Sequence, residues 1–429
     1  MRGAERPGCA PVVILGLSPG GLYLVRDLAR AGVPVYGAAD KRESGLFSRY
    51  LRGGCAWKIR DNRDDQERVD TDSGELLRRI RELQEAFGIP PVLLPSSDRY
   101  IEWISKHYTE LREYARFSDT YRPDRYERLL DKDLFYQVCE KIGVPYPRRW
   151  KLADLNSAQS HRPERDPESL SYPLLIKPGR LHEVTEIMGS RKVFECRDAE
   201  ELKKYLQKLP QERGGWLVQE IVEGPDDDIY CLGGVHSGEG RIEAPIAGRK
   251  LRQFPPGFGT AAALRIESPP EVLWEHTRRL LMALEVDGIF EIEFKRDLRD
   301  GIWKVFEINP RTALWFSAAG SAGVPLAMRA YCTVAGCELP LSASTDGTKS
   351  TVVWRTGLKN IIAVGRAIFR RSGGKGGPGA GKGKVRPIAA WAFWDSFDPL
   401  PACMELLAYA GKAAGRLYRA VFKGRGRNG

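Results

Sequence analysis

Short apolar runs alternate with amphipathic stretches through the first hundred residues of the chain. PVVILGL (11–17), VPVYGAAD (33–40) and PPVLLPSSD (90–98) are apolar runs of strand length that end near turn-forming residues. GGLYLVRDLARAG (20–32) and SGELLRRIRELQEAFG (73–88) lie between them and repeat their apolar positions at helical spacing. Strands that alternate with helices are typical of a parallel, doubly wound α/β sheet.

A second region, of α+β character, follows residue 131. Its predicted strands are YPLLIKP (172–178), KVFEC (192–196), WLVQEIV (216–222) and DIYCLGG (228–234). Its predicted helices are DKDLFYQVCEKIGV (131–144), DAEELKKYLQKL (198–209) and EVLWEHTRRLLMALEV (271–286). GIFEIEFKRD (288–297) and GIWKVFEIN (301–309) flank the turn sequence RDLRDG, and together they predict a β-hairpin.

The pattern becomes irregular after residue 345. The Gly/Lys stretch 372–384 is of low complexity and is predicted to be disordered. PACMELLAYAGKAAGRLYRAVFKG (401–424) predicts a final helix with a basic side. Such a helix packs on the body of the protein or contacts a membrane surface, and we expect the first.

Composition and charge narrow the class of protein. A chain of 429 residues is expected to form two or three domains. The sequence has no run of 18 apolar residues, so no transmembrane helix is predicted. The first apolar run is predicted to be a strand and not a signal peptide. Eight scattered cysteines without a CxxC motif predict reduced thiols and a cytoplasmic location.

The net charge of +11 is concentrated toward the end of the chain. Residues 366–386 contain seven basic residues and no acidic residue. Such runs can attract anionic lipid, nucleic acid or a phosphorylated substrate. We expect a solvated linker, and we keep a non-enzymatic nucleic-acid or membrane-surface binding protein as the alternative function.

The first turn, GLSPGG, leads from a predicted strand into a helix, and Asp40 follows about 20 residues on. A helix N-terminus of this kind can hold a nucleotide or a small anionic substrate, or it can be a tight turn alone. The spacing differs from GxGxxG and Pro19 occupies the turn, so a dehydrogenase with NAD or FAD is not the expected reading.

The hairpin carries the strongest chemical signal. Alternation places Glu307, Asn309 and Arg311 on one face of its second strand, and Glu293 lies on the first strand. Carboxylates that face each other across a ladder are about 5 Å apart and repel unless a cation lies between them. We therefore predict a Mg²⁺ site, with an ion pair to Lys295 or Lys304 as the alternative.

Magnesium held by few carboxylates completes its shell with phosphates, so cations for a triphosphate are expected. Lys177 closes the buried run YPLLIKP, where a charge is unusual. Lys132 stands at a helix start, which disfavours a cation and indicates an anion nearby.

Five segments, in order, resemble the ATP-grasp superfamily: DKDLFYQVCEKIGVPYP, YPLLIKPG, WLVQEIVEGPDDDIY, GIFEIEFKRD and FEINPR. GRKLRQFPPGFGTA, EINPRTALW and WAFWDSFDPLPA resemble its carboxylate–amine ligase branch, which includes D-aspartate ligase. The resemblance implies a Rossmann-like pre-ATP-grasp domain over 1–118 and an ATP-grasp domain over 119–345, with a small lid subdomain at about 172–222. It leaves a C-terminal extension over 346–429.

The resemblance also implies roles for individual residues. Those expected to bind ATP are Lys132, Lys177, Gln219, Glu220, Val222 and Asp226, with Asp228 as the alternative to Asp226. Those expected to bind magnesium are Glu293, Glu307 and Asn309. Arg311 would stabilise the transferring phosphoryl group, and Lys250 or Arg252 would meet the γ-phosphate or the substrate carboxylate. The loop that covers phosphates in this family is glycine-rich, whereas GRLHEVTEIMGSRK after Lys177 has few glycines.

The sequence therefore predicts an ATP- and Mg²⁺-dependent ligase that joins a carboxylate to an amine through an acyl phosphate. Its substrates are expected to be small molecules: amino acids, peptidoglycan precursors, or surface-polysaccharide or natural-product intermediates. The GLSPGG turn with Gly20, Asp40, and the segment Ser96–Asp98 with Ser97 lie near the carboxyl ends of strands. They are the substrate-side candidates, with ordinary turns and caps as the alternative. Nucleic acid is not an expected partner, and a weak membrane-surface contact through the basic C-terminus is kept as the alternative to packing on the body.

Overall fold

The computed structural model describes ten stretches of the chain: residues 9–39, 43–52, 66–155, 166–178, 193–209, 215–255, 257–339, 351–357, 360 and 387–423. Within them the strands form three sheets, of three, seven and four strands. The predicted hairpin lies in the seven-stranded sheet and the strand that carries Lys177 lies in the four-stranded sheet. The predicted disordered stretch 372–384 falls outside the described residues.

The strands, in chain order, are β1 (Val12–Leu15), β2 (Val35–Ala38), β3 (Val92–Pro95), β4 (Arg149–Lys151), β5 (Leu174–Pro178), β6 (Phe194–Cys196), β7 (Trp216–Glu220), β8 (Ile229–His236), β9 (Ile242–Phe254), β10 (Thr260–Ile266), β11 (Gly288–Arg296), β12 (Trp303–Asn309), β13 (Val352–Arg355) and β14 (Ile388–Trp391). The α-helices are α1 (Pro19–Arg30), α2 (Gln66–Phe87), α3 (Asp98–Lys106), α4 (Tyr108–Leu111), α5 (Pro123–Leu130), α6 (Lys132–Lys141), α7 (Leu152–Leu155), α8 (Ala199–Lys208), α9 (Glu271–Ala283), α10 (Ser317–Ser321), α11 (Leu326–Ala335) and α12 (Leu400–Lys423).

The N-terminal sheet has the strand order β2-β1-β3, and all of its strands are parallel. The parallel pairing predicted from the alternation of strands and helices is therefore confirmed. β1 and β3 are buried along their whole length, as expected for strands covered on both faces. Their carboxyl ends deliver the GLSPGG turn and the segment Ser96–Asp98 to one edge of the sheet.

The seven-stranded sheet has the order β12-β11-β8-β9-β10-β13-β14. The predicted hairpin is confirmed, because β11 and β12 pair in antiparallel register around the turn 297–302. β9 and β10 had no counterpart among the predicted strands. β13 and β14 come from the predicted C-terminal extension and complete this sheet, so the proposed boundary at residue 345 divides strands of one sheet.

The four-stranded sheet has the order β4-β7-β5-β6 and packs its apolar face on α8. Leu202 and Leu206 of α8 are buried there together with Ile176 and Val218 of the sheet. Asp198 caps α8 by accepting a hydrogen bond from the Glu201 N–H (2.8 Å), which explains where the helix begins. This sheet has a hydrophobic cluster of its own.

The N-terminal sheet and the seven-stranded sheet share one hydrophobic core. Residues 313–335 run between them and contribute buried side chains to the same cluster as β1 and α1. The Ala327 N–H donates to the Tyr23 hydroxyl (3.1 Å), and the Tyr331 hydroxyl donates to the Ala10 carbonyl (2.8 Å). The first domain is therefore held against the hairpin by continuous packing.

The segment before the last helix is fastened to the first domain by a buried carboxylate. Asp398 is 1% exposed and accepts hydrogen bonds from Arg26 Nε (2.9 Å), Ser48 Oγ (2.7 Å) and the Arg49 N–H (2.9 Å). Nearby, Asp395 accepts from Arg30 (2.6 Å) in a more exposed ion pair. α12 then begins at Leu400. Across the part of the chain that the structure covers, no helix has the length and apolar character needed to cross a bilayer.

We expect the buried pair to contribute far more stability than the exposed one. Asp398→Ala leaves the guanidinium of Arg26 without its carboxylate and should lower the free energy of unfolding by about 3 kcal/mol. Asp395→Ala removes the same atoms from the more exposed pair and should lower it by less than about 1 kcal/mol. Chemical denaturation of the two variants side by side measures both values. Equal losses in the two variants would contradict the assignment.

Candidate active site

A cavity of about 290 Å³ lies between the four-stranded sheet and the seven-stranded sheet. The structure brings ten of the predicted site residues to its walls: Lys132, Lys177, Gln219, Glu220, Val222, Lys250, Glu293, Glu307, Asn309 and Arg311. They come from segments up to 180 residues apart in the sequence. A concave site with several converging charged groups is the usual form of an active site.

The hairpin builds one wall of the cavity through strict alternation along β11. Phe290, Ile292 and Phe294 are fully buried in the core behind the sheet. Glu291 and Glu293 alternate with them and line the cavity. The apolar face thus fixes which side of the strand carries the acids, because a slip of one residue would bury them.

The register of the hairpin sets the carboxylates against each other. Glu293 lies opposite Glu307, and Glu291 lies opposite Asn309. A β-bulge follows, because Phe294 pairs with Val305 and leaves Phe306 as the extra residue. Phe306 lines the cavity, and its carbonyl oxygen is 3.2 Å from the Tyr136 hydroxyl.

Glu293 is paired with a lysine that comes from β9. Lys250 Nζ is 2.6 Å from the Glu293 carboxylate, and the two side chains are 3% and 12% exposed. Cys231 of β8 lies between the two strands, opposite Glu293 and opposite Gly248. These small residues let the lysine reach across β8. Although burial disfavours its charge, Glu293 raises the pKa of Lys250.

The predicted alternative, a pairing with Lys295 or Lys304, is wrong for the residues that the structure describes. Lys304 contacts Asp297 (2.7 Å) and Glu220 (3.2 Å) at the turn end of the hairpin. Neither Lys295 nor Lys304 forms an ion pair with Glu293 or Glu307 there. The reason is that β12 turns its lysine toward the buried Asp297, which is 0% exposed.

Glu307 is exposed to the cavity and has no hydrogen-bonded or ion-paired partner within the described part of the chain. It faces Glu293 and lies two residues from Asn309, which offers an amide oxygen. Two carboxylates and an amide are the hard oxygen donors that Mg²⁺ prefers. The donor set therefore fits a divalent cation.

A chain of polar contacts runs from the first domain to the hairpin. Asp98, in the first turn of α3, accepts two hydrogen bonds from Arg311, at 2.7 and 3.1 Å. Arg311 also donates to Asn309 Oδ1 (2.9 Å), and Asn309 Nδ2 donates to Glu291 (3.0 Å). The indole N–H of Trp315 donates to the other oxygen of Glu291. The Asn309 amide is thereby oriented from two sides, by Arg311, which the first domain holds through Asp98, and by Glu291 of β11.

Glu291 is a site residue that the sequence analysis missed, and the contact of Asp98 with Arg311 was not predicted either. Glu291 is 6% exposed and lies in the cavity wall two residues before Glu293. Burial and the charge of Glu293 raise its pKa. The signal was present in the period-two spacing that places both acids on one face. Asp98 belongs to the segment Ser96–Asp98 that was a substrate-side candidate, but no local pattern could predict its contact with Arg311, which lies 213 positions away.

Lys177 and Lys132 form a cationic end of the cavity. Lys177 is 8% exposed and donates to the Tyr136 hydroxyl (3.0 Å). Burial, and next the charge of Lys132, lower the pKa of Lys177 to about 7. Lys132 begins α6, where the Asp131 carboxylate caps the helix through the Asp133 N–H (2.8 Å). The negative charge of this cap offsets the unfavourable interaction between the helix dipole and a lysine at the helix N-terminus.

The predicted hinge lies along the cavity at the end of β7. Gln219 Oε1 is 3.2 Å from the Tyr136 hydroxyl. The Glu220 carboxylate is occupied by Lys304 (3.2 Å), Arg299 (3.4 Å) and the Arg148 N–H (2.9 Å). The side chain of Glu220 is thus held in structural contacts, which leaves its backbone groups for a ligand.

Four predicted site residues do not line the cavity: Asp226, Arg252, Ser97 and Gly20. Asp226 accepts from the backbone and side-chain nitrogens of Gln253, at 3.2 and 2.8 Å. Arg252 donates to Asn360 (3.0 Å), because β9 has a bulge: Lys250 pairs with Leu264 and Arg252 pairs with Ala263, so Leu251 is an extra residue and Arg252 leaves the face of Lys250. Ser97 precedes α3 as its N-cap.

Gly20 serves close packing. A Cβ there would lie 2.6 Å from the Ala313 carbonyl oxygen, and one at Gly21 would lie 1.9 Å from that of Gly16. Close packing therefore requires glycine at these two positions, and the substrate-side role of Gly20 stays a prediction. Asp40 and residues 179–192, where the phosphate-covering segment was expected, lie outside the described residues.

No protein-family model matches the chain. The chain is 27% identical over 244 residues to D-aspartate ligase of Enterococcus faecium, a match that covers 55% of this chain and 56% of that protein. The chain thus spans about half the length of the curated relatives it matches.

Two solved structures share its architecture. Carboxyaminoimidazole ribonucleotide synthase of Aspergillus clavatus, complexed with ATP, aligns with a TM-score of 0.55 at 13% identity, over 80% of this chain and 81% of that one. L-amino acid ligase of Bacillus licheniformis aligns with a TM-score of 0.54 at 14% identity, over 82% and 79%. These likenesses show the fold.

The buried Lys177 predicts a pH-dependent cost in stability. The unfolded chain holds the lysine proton up to pH ~10.4, whereas the folded protein releases it near pH 7, so stability rises between these values. Lys177→Met removes this titrating group and, with it, the pH-dependent loss of stability. The variant should therefore gain more free energy of unfolding at pH 7 than at pH 9, by up to about 2 kcal/mol.

Denaturant titrations at the two pH values measure this difference. Lys141→Met, at an exposed position of α6, is the control for loss of a lysine. If Lys177→Met gains the same free energy of unfolding at both pH values, the pKa of Lys177 is not lowered by burial and the assignment is contradicted.

Proposed function

We propose that this chain, which belongs to the ATP-grasp superfamily, joins a carboxylate to an amine and converts ATP to ADP and phosphate. The resemblance and the ATP-grasp fold predicted from the sequence are both confirmed. The observation that carries the proposal is the face-to-face pair Glu293 and Glu307, with Asn309 beside it, in a cavity that also holds Lys132 and Lys177. The alternative of a non-enzymatic binding protein has no support among the similar proteins.

ATP and Mg²⁺ are the partners that this donor set suits. Glu293, Glu307 and Asn309 would hold the cation, which when bound neutralises charge on the transferring phosphate. Lys132 and Lys177 line the same cavity and would contact phosphate oxygens. Because the pKa of Lys177 is about 7, an arriving polyphosphate would draw a proton onto this lysine and gain a buried ion pair.

The chemistry explains why so many charges converge. A carboxylate oxygen of the substrate attacks the γ-phosphorus, the bond from that phosphorus to its bridging oxygen breaks, and ADP leaves. The amine nitrogen then attacks the carbonyl carbon of the acyl phosphate. The carbon–oxygen bond breaks, phosphate leaves with the electron pair, and the amine loses a proton. Both steps bring anions together, so positioning and charge neutralisation supply most of the rate.

Arg311 is the residue we assign to the developing negative charge. It lies in the cavity wall and is oriented from two sides, by Asp98 and by Asn309. A guanidinium held in this way needs little reorganisation as charge develops. Asp98 is then a positioning residue. Although burial disfavours the charge of Arg311, Asp98 raises its pKa, so it remains a cation.

The substrates belong to the class of small carboxylates and amines. D-aspartate is the first candidate, because the chain resembles a D-aspartate ligase. Other amino acids, peptidoglycan precursors and surface-polysaccharide or natural-product intermediates remain within the proposal. The cytoplasmic location expected from the cysteines stays a prediction.

ADP release tests the proposal when it is screened over pairs of carboxylate and amine, beginning with D-aspartate. We expect release that requires ATP, Mg²⁺ and both substrates. With an active pair, Glu307→Gln and Arg311→Ala should each lower turnover by about 100-fold or more, because the first weakens the cation site and the second removes the guanidinium that would stabilise the transferring phosphoryl group.

Glu271→Gln and Arg278→Ala are the matched controls, since these residues form an exposed ion pair away from the cavity. They should leave turnover unchanged. Near-normal turnover in pure, folded Glu307→Gln or Arg311→Ala would contradict the assigned roles. Turnover of a carboxylate–amine pair without ATP would contradict the proposed reaction.

A further inference from the structure

The last helix leaves the body of the protein soon after it begins. Pro401 and Ala402 are buried where α12 meets the short helical turn Ser44–Phe47. From Cys403 to Gly411 every residue is exposed or half-buried. The expectation that this helix packs on the body therefore holds for its first turn, whereas none of the described side chains from Cys403 to Gly411 is buried.

The part of α12 that projects carries large apolar side chains into solvent. Leu406 is 58% exposed and Leu407 is 63% exposed. The segment that leads into the helix adds Trp394 (55%) and Phe397 (60%), and Leu400 is 49% exposed. Single exposed apolar residues are common, but several within fourteen residues form a patch that marks an interaction surface.

The sequence that continues the helix is strongly basic. Residues 412–429 contain six basic residues and no acidic residue. Lys412, Arg416, Arg419 and Lys423 are spaced by four, three and four positions, the interval that repeats along one side of an α-helix. Apolar residues such as Leu417, Val421 and Phe422 occupy other positions of the same sequence.

A helix of this kind needs a covering surface. An isolated helix gains little stability from propensity alone, and most helices are held by packing of an apolar face. A second copy of the same helix would bring six further positive charges against the first and is disfavoured. Nucleic acid would satisfy the charge but not the leucines and aromatic side chains. An anionic lipid surface satisfies both.

We propose that α12 and the aromatic segment Trp394–Phe397 dock this protein onto an anionic membrane surface. The leucines and aromatic side chains would enter the boundary between headgroups and acyl chains, where tryptophan is favoured. The basic residues would remain at the level of the lipid phosphates. The contact is interfacial, in keeping with the finding that the described helices do not span a bilayer. Because Asp398 ties the segment to the first domain, docking would hold the whole enzyme at the surface.

Vesicle sedimentation with the full-length protein tests the proposal. The probes are pure phosphatidylcholine vesicles and phosphatidylcholine vesicles that contain phosphatidylglycerol. We expect binding to the second kind, weakened by high salt. The joint replacement Lys412→Gln, Arg416→Gln, Arg419→Gln and Lys423→Gln should lower partitioning by about 100-fold or more, at about 1 kcal/mol per charge.

The apolar contribution has its own variant and control. Leu406→Ser with Leu407→Ser should lower partitioning by about tenfold or more. Leu298→Ser changes a leucine that is 60% exposed in the hairpin turn and should leave partitioning unchanged. Circular dichroism and thermal unfolding check that each variant is folded. Vesicle sedimentation measures binding and not turnover, so the result does not depend on catalysis.

Several outcomes would overturn the proposal. One is the absence of binding to the anionic vesicles, and another is equal binding to both kinds. Binding that the leucine pair and Leu298→Ser weaken equally would show a non-specific effect. Salt-sensitive binding of RNA or DNA without vesicle binding would assign the surface to nucleic acid. Self-association that the leucine variant abolishes, without vesicle binding, would assign it to a second copy.

Discussion

The hairpin register that sets Glu293 opposite Glu307 is the constraint on which the candidate site depends. The hairpin register places these two acids opposite each other, and the buried aromatic and aliphatic residues behind β11 prevent that register from slipping. Lys250 neutralises Glu293, whereas Glu307 faces the cavity without a partner in the described residues. This arrangement of charges favours the binding of a cation beside Glu307.

The rest of the fold holds this arrangement in place. The seven-stranded sheet supplies the acids and Lys250, and the four-stranded sheet supplies Lys177. The first domain reaches the site through Asp98, which orients Arg311, which in turn orients Asn309. Packing of residues 313–335 between two sheets keeps these partners together. Activity and domain arrangement are therefore coupled through one chain of contacts.

Much of the site could be predicted from local pattern. Period-two alternation identified the hairpin and the shared face of Glu307 and Asn309, and the buried run before Lys177 marked an unusual charge. Contacts set by sheet order could not be found in this way. The Lys250–Glu293 pair needs β8 to lie between β9 and β11, and the bulge at Phe306 depends on a neighbour, Tyr136, from α6. Asp226 and Arg252 were assigned by resemblance alone, and neither the bulge beside Arg252 nor the contact of Asp226 with Gln253 could be predicted because β9 was not identified as a strand.

Thermal unfolding of the wild type and Glu307→Gln, in EDTA and with Mg²⁺ and a non-hydrolysable ATP analogue, tests the central claim most directly. In EDTA the variant loses only a carboxylate charge that has no hydrogen-bonded or ion-paired partner among the described residues, so the account predicts an unfolding midpoint at least as high as that of the wild type. With the cation and analogue the wild type should gain stability, and the variant should gain much less. A variant that is less stable in EDTA and responds to the ligands as the wild type does would contradict the account.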